Sequence, residues 1–280
     1  VLFAISAPAT AMDRDGDKDV DEATLLAELL EISNRRSSER YKRGRGGCRR
    51  DIEEATTTES AVSGGDGREA RSPSDDFLSI HPEDSALNQY WYSRNTIDVL
   101  RRAIEEGLER VTAGREQGRV AFLSTPSLYF SFSSDMRKRH ALLDYDNIWA
   151  CDPGYFFYDF NEPLGIPDRL VGVFDAVVID PPFISKDVWE KYSITALKLL
   201  KGNPKGKRKA EGRDRDWDGP GAIIIGTTVP ENAEFMMDML GAKPMSFRPS
   251  IPNLVYQYSV YANFSSVELS KDNDEFSKKS

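Results

Sequence analysis

This sequence predicts an α/β fold on a mostly parallel sheet, and three observations support it. Strand-like and helix-like segments alternate through residues 81–280, which implies crossovers between parallel strands. One segment, Phe174-Asp-Ala-Val-Val-Ile-Asp180, is almost entirely apolar or β-branched in its middle, as strands covered on both faces are. Near the end, Val255 to Phe264 alternates Tyr and Val at period two, the pattern of an antiparallel strand or hairpin arm.

The folded part is expected in residues 81–264. All four Trp and nearly all Phe and Tyr of the 280 residues lie beyond residue 80. Residues 1–80 hold only Phe3, Tyr41 and Phe77 as aromatics, among Ser-, Gly-, Arg- and Asp-rich stretches. They read as mostly disordered, with one helix near 21–33 that puts Leu25, Leu26, Leu29 and Leu30 on a stripe. Val1 to Ala11 resembles the tail of a signal peptide but lacks its charged start, initiator Met and length, and reads as a truncated start. Residues 202–220 read as a loop insertion, and the polar residues 265–280 as a disordered tail.

Within the domain the elements follow in order. Ser93 caps a helix carrying Ile97, Leu100, Ala103 and Ile104 on one face. Residues 119–124 form a buried strand stopped by Pro126, and residues 127–139 a helix. Strands at 140–146, 155–159 and 174–180 come next, then a helix at 185–200. A strand at 221–226 and a Met-rich helix at 231–240 precede the final strand.

Composition excludes several functions. No apolar run approaches the roughly 20 residues of a membrane-spanning helix. Two cysteines and two histidines cannot make a disulfide scaffold or a His-rich metal site, so no metal is expected. The acidic run Asp13 to Asp21 fails as a calcium loop, because Lys18 stands at the Gly position and Thr24 at the Glu position. The net charge of −9 divides as −5 over residues 1–80 and −4 over the rest, which argues against broad nucleic-acid binding. The basic cluster Lys205-Gly-Lys-Arg-Lys209 reads as a solvated loop.

In open parallel sheets, ligands sit beyond the carboxyl ends of the strands. That rule selects Ser124, Asp144, Asp159 and Asp180, three of them carboxylates. Each acid could instead cap the next turn. The sharpest signal is Asp180-Pro181-Pro182-Phe183. Two prolines fix φ near −65° and donate no N–H, so the Asp180 and Pro181 carbonyls are held rigidly beside a carboxylate. Such a group accepts hydrogen bonds from an amino group, while Phe183 packs on a flat base or an aliphatic stem. An ordinary strand stop is the plain alternative.

Asp180-Pro-Pro-Phe183 resembles motif IV of class I S-adenosylmethionine-dependent methyltransferases that act on amino nitrogens. Gln89-Tyr-Trp-Tyr-Ser93, Ser124-Thr-Pro-Ser127, Asp144-Tyr-Asp146 and Phe157-Tyr-Asp-Phe-Asn-Glu-Pro163 narrow the match. Together they resemble the eukaryotic elongation factor 1A lysine methyltransferases, a family formerly classed with N6-adenine methyltransferases. The resemblance implies a Rossmann-like seven-strand methyltransferase fold with an antiparallel C-terminal strand. It implies a cytoplasmic, monomeric protein-lysine methyltransferase that uses S-adenosylmethionine and acts on elongation factor 1A. Ser124, Thr125, Pro126 and Ser127 would face the methionine end of the cofactor through backbone N–H groups and Ser hydroxyls. Asp144, with Asp146 as second choice, would hold the ribose, and Asp159 the adenine amino group. Trp91, Tyr92 and Ser93 would close the site, although core packing also explains the two aromatics. Asp180 and the carbonyl of Pro181 would orient the target nitrogen, with Pro182 completing the turn and Phe183 lining the channel. No general base of suitable pKa is evident. Tyr256-Gln-Tyr258 departs from the Asn-Glu-Phe-like triplet of the family. The alternatives are an N6-adenine methyltransferase on DNA or RNA and a non-catalytic methyltransferase-like binding subunit.

Overall fold

The computed structural model describes residues 73–85, 87–113, 117–202, 204–205 and 221–277. The expected helix near 21–33 and most of the basic loop lie outside the described residues. Among the described residues, no helix is long and apolar enough to cross a membrane, and no cluster of His, Cys, Asp and Glu could hold a metal ion.

Seven strands form one sheet: β1 (Val120–Leu123), β2 (Ala141–Asp144), β3 (Tyr155–Phe157), β4 (Ala176–Ile179), β5 (Ile223–Thr228), β6 (Lys243–Pro244) and β7 (Ser259–Ala262). Their order is β3-β2-β1-β4-β5-β7-β6. The first five strands are parallel, and β7 runs antiparallel to both β5 and β6. The fold is therefore the expected one.

Alternation along each strand divides the core into two layers. Val120 and Phe122 of β1 join one cluster with Leu142, Val178 and Ile225. Ala121 and Leu123 join the other with Leu143, Val177 and Ile224. Both faces are covered, so β1, β2 and β4 are apolar at every position except the terminal Asp144.

Helix α1 (Pro73–Ile80) and α2 (Arg94–Thr112) pack on the first face. Ser93 caps α2 by accepting the Thr96 N–H at 3.1 Å. The helix buries Ile97, Leu100, Ala103, Ile104 and Leu108, the stripe that its sequence spacing predicts. α3 (Pro126–Tyr129) and α4 (Ser134–Arg137) follow β1. On the opposite face, α5 (Lys186–Leu199) and α6 (Ala233–Leu240) sit beneath β4 and β5. Gly226 allows this close approach: a Cβ there would lie 2.9 Å from Met236 and 3.1 Å from Trp189. A short helix, α7 (Asp274–Ser277), ends the described chain.

Four sequence expectations need correction. The packed structure includes α1, before residue 81, because Phe77 is buried against Trp91, Phe130 and Trp149. Average composition hides a helix anchored by a single ring. The expected disordered tail is packed: Leu269 is fully buried, and its carbonyl accepts the Phe247 N–H at 3.0 Å. The helix expected over 127–139 is broken into α3 and α4, because the Ser131 hydroxyl bonds the Leu128 carbonyl and Ser133 starts a new cap. The final strand begins at Ser259, because β5 ends at the opposing Thr228, which places Val255 and Tyr256 outside the sheet and exposed. The seventh strand of the expected sheet is the two-residue edge strand β6, which carried no apolar pattern of its own.

Candidate active site

The chain order reverses between β1 and β4, where ligands of such sheets bind. Leu123 pairs with Ile179, so Ser124 and Asp180 leave the sheet side by side. The Asp180 N–H donates to the Leu123 carbonyl at 3.2 Å, and the Ser124 N–H to the Leu143 carbonyl at 2.9 Å. Strand pairing therefore brings three of the four selected strand ends together.

Asp180 is half-buried. Its Oδ2 accepts the Tyr92 hydroxyl at 2.6 Å, and Tyr92 Oη lies 2.6 Å from Thr227 Oγ1. Burial pushes the Asp180 carboxyl up to about 7, against the Tyr92 and Thr227 hydrogen bonds that favour the ionised form. Asp180 in turn raises the buried phenols of Tyr92 and Tyr258, for which burial is the larger cause. A carboxyl near 7 lies in the range that suits proton transfer at neutral pH, a property that the sequence did not reveal.

The two prolines have different surroundings. The Pro182 carbonyl accepts the Asn88 side-chain amide. Asn88 has φ 55° in a turn closed by the Asp84–Gln89 pairing. Gln89 donates to Asp146 Oδ2 at 3.0 Å, so this turn straps the loop after β2 to the loop after β4. Phe183 is half-buried, edge-on to Phe160 at 6.2 Å, and Phe160 packs on Tyr192 at 5.9 Å.

Ser124 explains how a loop without glycine turns away from β1. It adopts φ 55°, the left-handed region that glycine favours. Its N–H is taken by the sheet, and its hydroxyl lies 2.7 Å from Tyr192 Oη. The next residue differs: Thr125 Oγ1 is buried with no hydrogen-bond partner. Pro126 and Ser127 are buried at the start of α3.

Asp144 is buried at the end of β2, where its Oδ1 accepts the Asp146 N–H at 2.8 Å. Burial pushes this carboxyl up to about 8, and the Asp146 charge adds to the rise while its N–H opposes it. Asp146 has a local duty, accepting from Ile148 N–H at 3.1 Å and from Gln89. Asp159 Oδ1 accepts the Asn161 N–H at 2.9 Å, the turn-capping role that was its plain alternative.

Trp91 belongs to the core, its indole N–H bonded to the His81 carbonyl at 2.9 Å. Ser93 is the α2 cap, and its hydroxyl donates to Glu275 at 2.7 Å. Of the three residues expected to close the site, only Tyr92 reaches the motif. A cavity of 490 Å³ lies on the far side of Tyr92, lined by Leu78, His81, Glu83, Trp91 and Asn253 among others. None of the strand-end carboxylates lines it, so Tyr92 is the wall between the cavity and Asp180.

Sequence reasoning missed Thr227, Asn88 and the sites of Tyr192 and Tyr258. Thr227 was within reach, since it lies near the carboxyl end of β5. Nothing local marks the others, whose partners lie 68 to 94 positions away where a partner is identified.

Residues 83–266 match the family model described as "Probable N6-adenine methyltransferase". The chain is 35% identical over 140 residues to "Protein-lysine N-methyltransferase EFM5" of Saccharomyces cerevisiae, covering 47% of this chain and 54% of that protein. It is 32% identical over 192 residues to "EEF1A lysine methyltransferase 1" of Danio rerio, covering 66% of this chain and 100% of that protein. The Homo sapiens protein of the same name is 29% identical over 194 residues, covering 68% of this chain and 78% of its own length.

Proposed function

The chain belongs to the family described as probable N6-adenine methyltransferase, whose relatives here are named lysine methyltransferases, and from that premise we propose that it is an S-adenosylmethionine-dependent protein-lysine N-methyltransferase acting on elongation factor 1A. The observation that carries the chemistry is Asp180, a carboxylate near neutral pKa held by Tyr92 at the sheet's switch point.

The residues present fit the cofactor on two counts. Asp144 is a buried carboxyl at the end of β2, suited to a ribose diol. Thr125 Oγ1 is a buried hydroxyl awaiting a partner. When bound, S-adenosylmethionine supplies a methyl group on a sulfonium. Asp144 would hold the ribose, with Thr125 near the methionine end. Asp146 and Ser93 serve the local fold, and Asp159 divides its carboxylate between a turn and any adenine contact.

Lysine has an unperturbed pKa of about 10.4 and must lose a proton before it attacks. The aromatic surround of Tyr92, Tyr258 and Phe183 disfavours its ammonium form. Asp180 accepts hydrogen bonds from the nitrogen and can take its proton, with the Pro181 carbonyl as the second acceptor. Phe183 packs along the lysine stem. Positioning on rigid strand ends supplies much of the acceleration.

Asp144 gives this reading a pH signature. Ionised Asp144 is the better ribose acceptor, and its carboxyl stays protonated up to about 8. Affinity for S-adenosylmethionine is expected to rise about tenfold between pH 6.5 and 8.5 and then level off. Asp144→Asn should flatten that rise. Calorimetry across the range measures both, and equal affinity at all pH values would remove Asp144 from the ribose site.

Methyl transfer itself is tested by incubating the protein with labelled methyl donor and elongation factor 1A or DNA in separate reactions. A modified lysine in the protein reaction, located by mass spectrometry, supports the reading. Label only in DNA would establish the adenine acceptor named in the family description instead. Donor binding without transfer would favour a binding subunit. A cytoplasmic location follows from this protein substrate and is checked by imaging a tagged chain. The protein is proposed to act as a monomer, which sedimentation of the purified chain checks.

A further inference from the structure

Tyr92 has an unusual position for a residue outside the strand-end motifs. It precedes α2, yet its hydroxyl reaches across the sheet to the carboxyl ends of β4 and β5. It lies 88 positions from Asp180 and 135 from Thr227, so only the fold assembles the three. Its side chain is almost fully buried.

The chemistry of the three groups fixes their polarity. Ionised Asp180 can only accept, so Tyr92 must donate to it. A phenol has one proton, so the 2.6 Å contact with Thr227 needs the threonine hydroxyl as donor. The chain therefore runs from Thr227 to Tyr92 to Asp180 Oδ2. This arrangement fixes the carboxylate plane and occupies one oxygen, which leaves Oδ1 to meet the nitrogen.

Resting on the lysine methyltransferase reading, we infer that Tyr92 is a positioning residue for methyl transfer: its hydroxyl, oriented by Thr227, aims the Asp180 carboxylate at the target amine and keeps it ionised. Tyr92 itself touches neither reacting atom. The titratable groups facing Asp180 are Tyr92 ahead of α2, Tyr192 on α5 and Tyr258 ahead of β7. All three are phenols raised by burial, and no cation contributes to holding Asp180 ionised among the described residues. The hydrogen bond from Tyr92, backed by Thr227, is thus what opposes a further rise of its carboxyl.

The test is Tyr92→Phe, which keeps the ring and removes the hydroxyl. Losing one charge-assisted hydrogen bond should raise the Asp180 titration by about one pH unit. The wild-type to variant ratio of kcat is then about fivefold at pH 7 and approaches one above pH 9. KM for the protein substrate and affinity for the methyl donor should stay within about twofold. Thr227→Val should shift the profile the same way by less, and Thr227→Ser should restore it. A constant ratio at every pH, or a loss confined to donor affinity, would overturn the inference and make Tyr92 a wall of the site. The carbon-13 resonance of the Asp180 carboxyl, assigned with Asp180→Asn, gives a readout that needs no substrate. It should titrate near 7 in the wild type and higher in Tyr92→Phe, and identical titrations would overturn the inference even if no methylated lysine is ever found. A wild type that titrates as expected but transfers no methyl group would instead count against the activity.

Discussion

Replacing Asp180 by Ala is expected to lower methyl transfer by about a thousandfold while the protein stays folded. The variant loses the acceptor for the nitrogen and the base near neutral pH together. Tyr92 and Thr227 keep their mutual contact, so only one hydroxyl proton loses its acceptor. The isosteric Asp180→Asn separates fold from chemistry through stability. The Asp180 carboxyl ionises near 7 in the fold and near 3.8 in the open chain. The folded state thus holds a proton that the unfolded state has released, and wild-type stability falls as pH rises through that window. Asp180→Asn should melt above wild type at pH 8, with the gap closing toward pH 4. Turnover of Asp180→Ala within tenfold of wild type would refute the role, and so would a melting difference independent of pH.

Ending the chain after Phe264 is expected to destabilise the fold by about 4 kcal/mol, of which the buried Leu269 side chain accounts for about 3. Leu269 is fully buried and its carbonyl holds the Phe247 N–H. The same segment satisfies Glu106 of α2, which accepts the Ser266 hydroxyl at 2.6 Å and the Val267 N–H at 3.1 Å. Asn273 adds a bond to the Arg248 carbonyl at 2.8 Å. Urea unfolding of the truncated chain and of Leu269→Ala measures both contributions. A loss below about 1 kcal/mol in the truncated chain would mean that the segment only rests on the surface.

The sequence made the sheet legible because both its faces are covered, and runs such as Ala176 to Ile179 cannot be mistaken for loops. It made Asp180 and Asp144 legible because a strand end is a place as well as a residue. What it hid depends on pairs distant in the chain. Tyr92 looked like one of three neighbours with a shared duty, yet only its hydroxyl meets the motif, while Trp91 fills the core and Ser93 caps a helix. Asp144, Asp146 and Asp159 each accept a nearby backbone N–H, so residue type alone did not tell them apart. The tail was misread because one leucine among polar residues has no periodicity to detect.

The turn closed by Asp84 and Gln89 has a mechanical meaning. Asn88 is fastened to Pro182 beside the proposed place of the amine, and Gln89 to Asp146 beside the proposed place of the ribose. A single clasp thus joins the two half-sites from outside, and loosening it at one end slackens the other. On the proposed reading, donor and acceptor enter a site whose two halves share one tension member, in addition to the sheet beneath them.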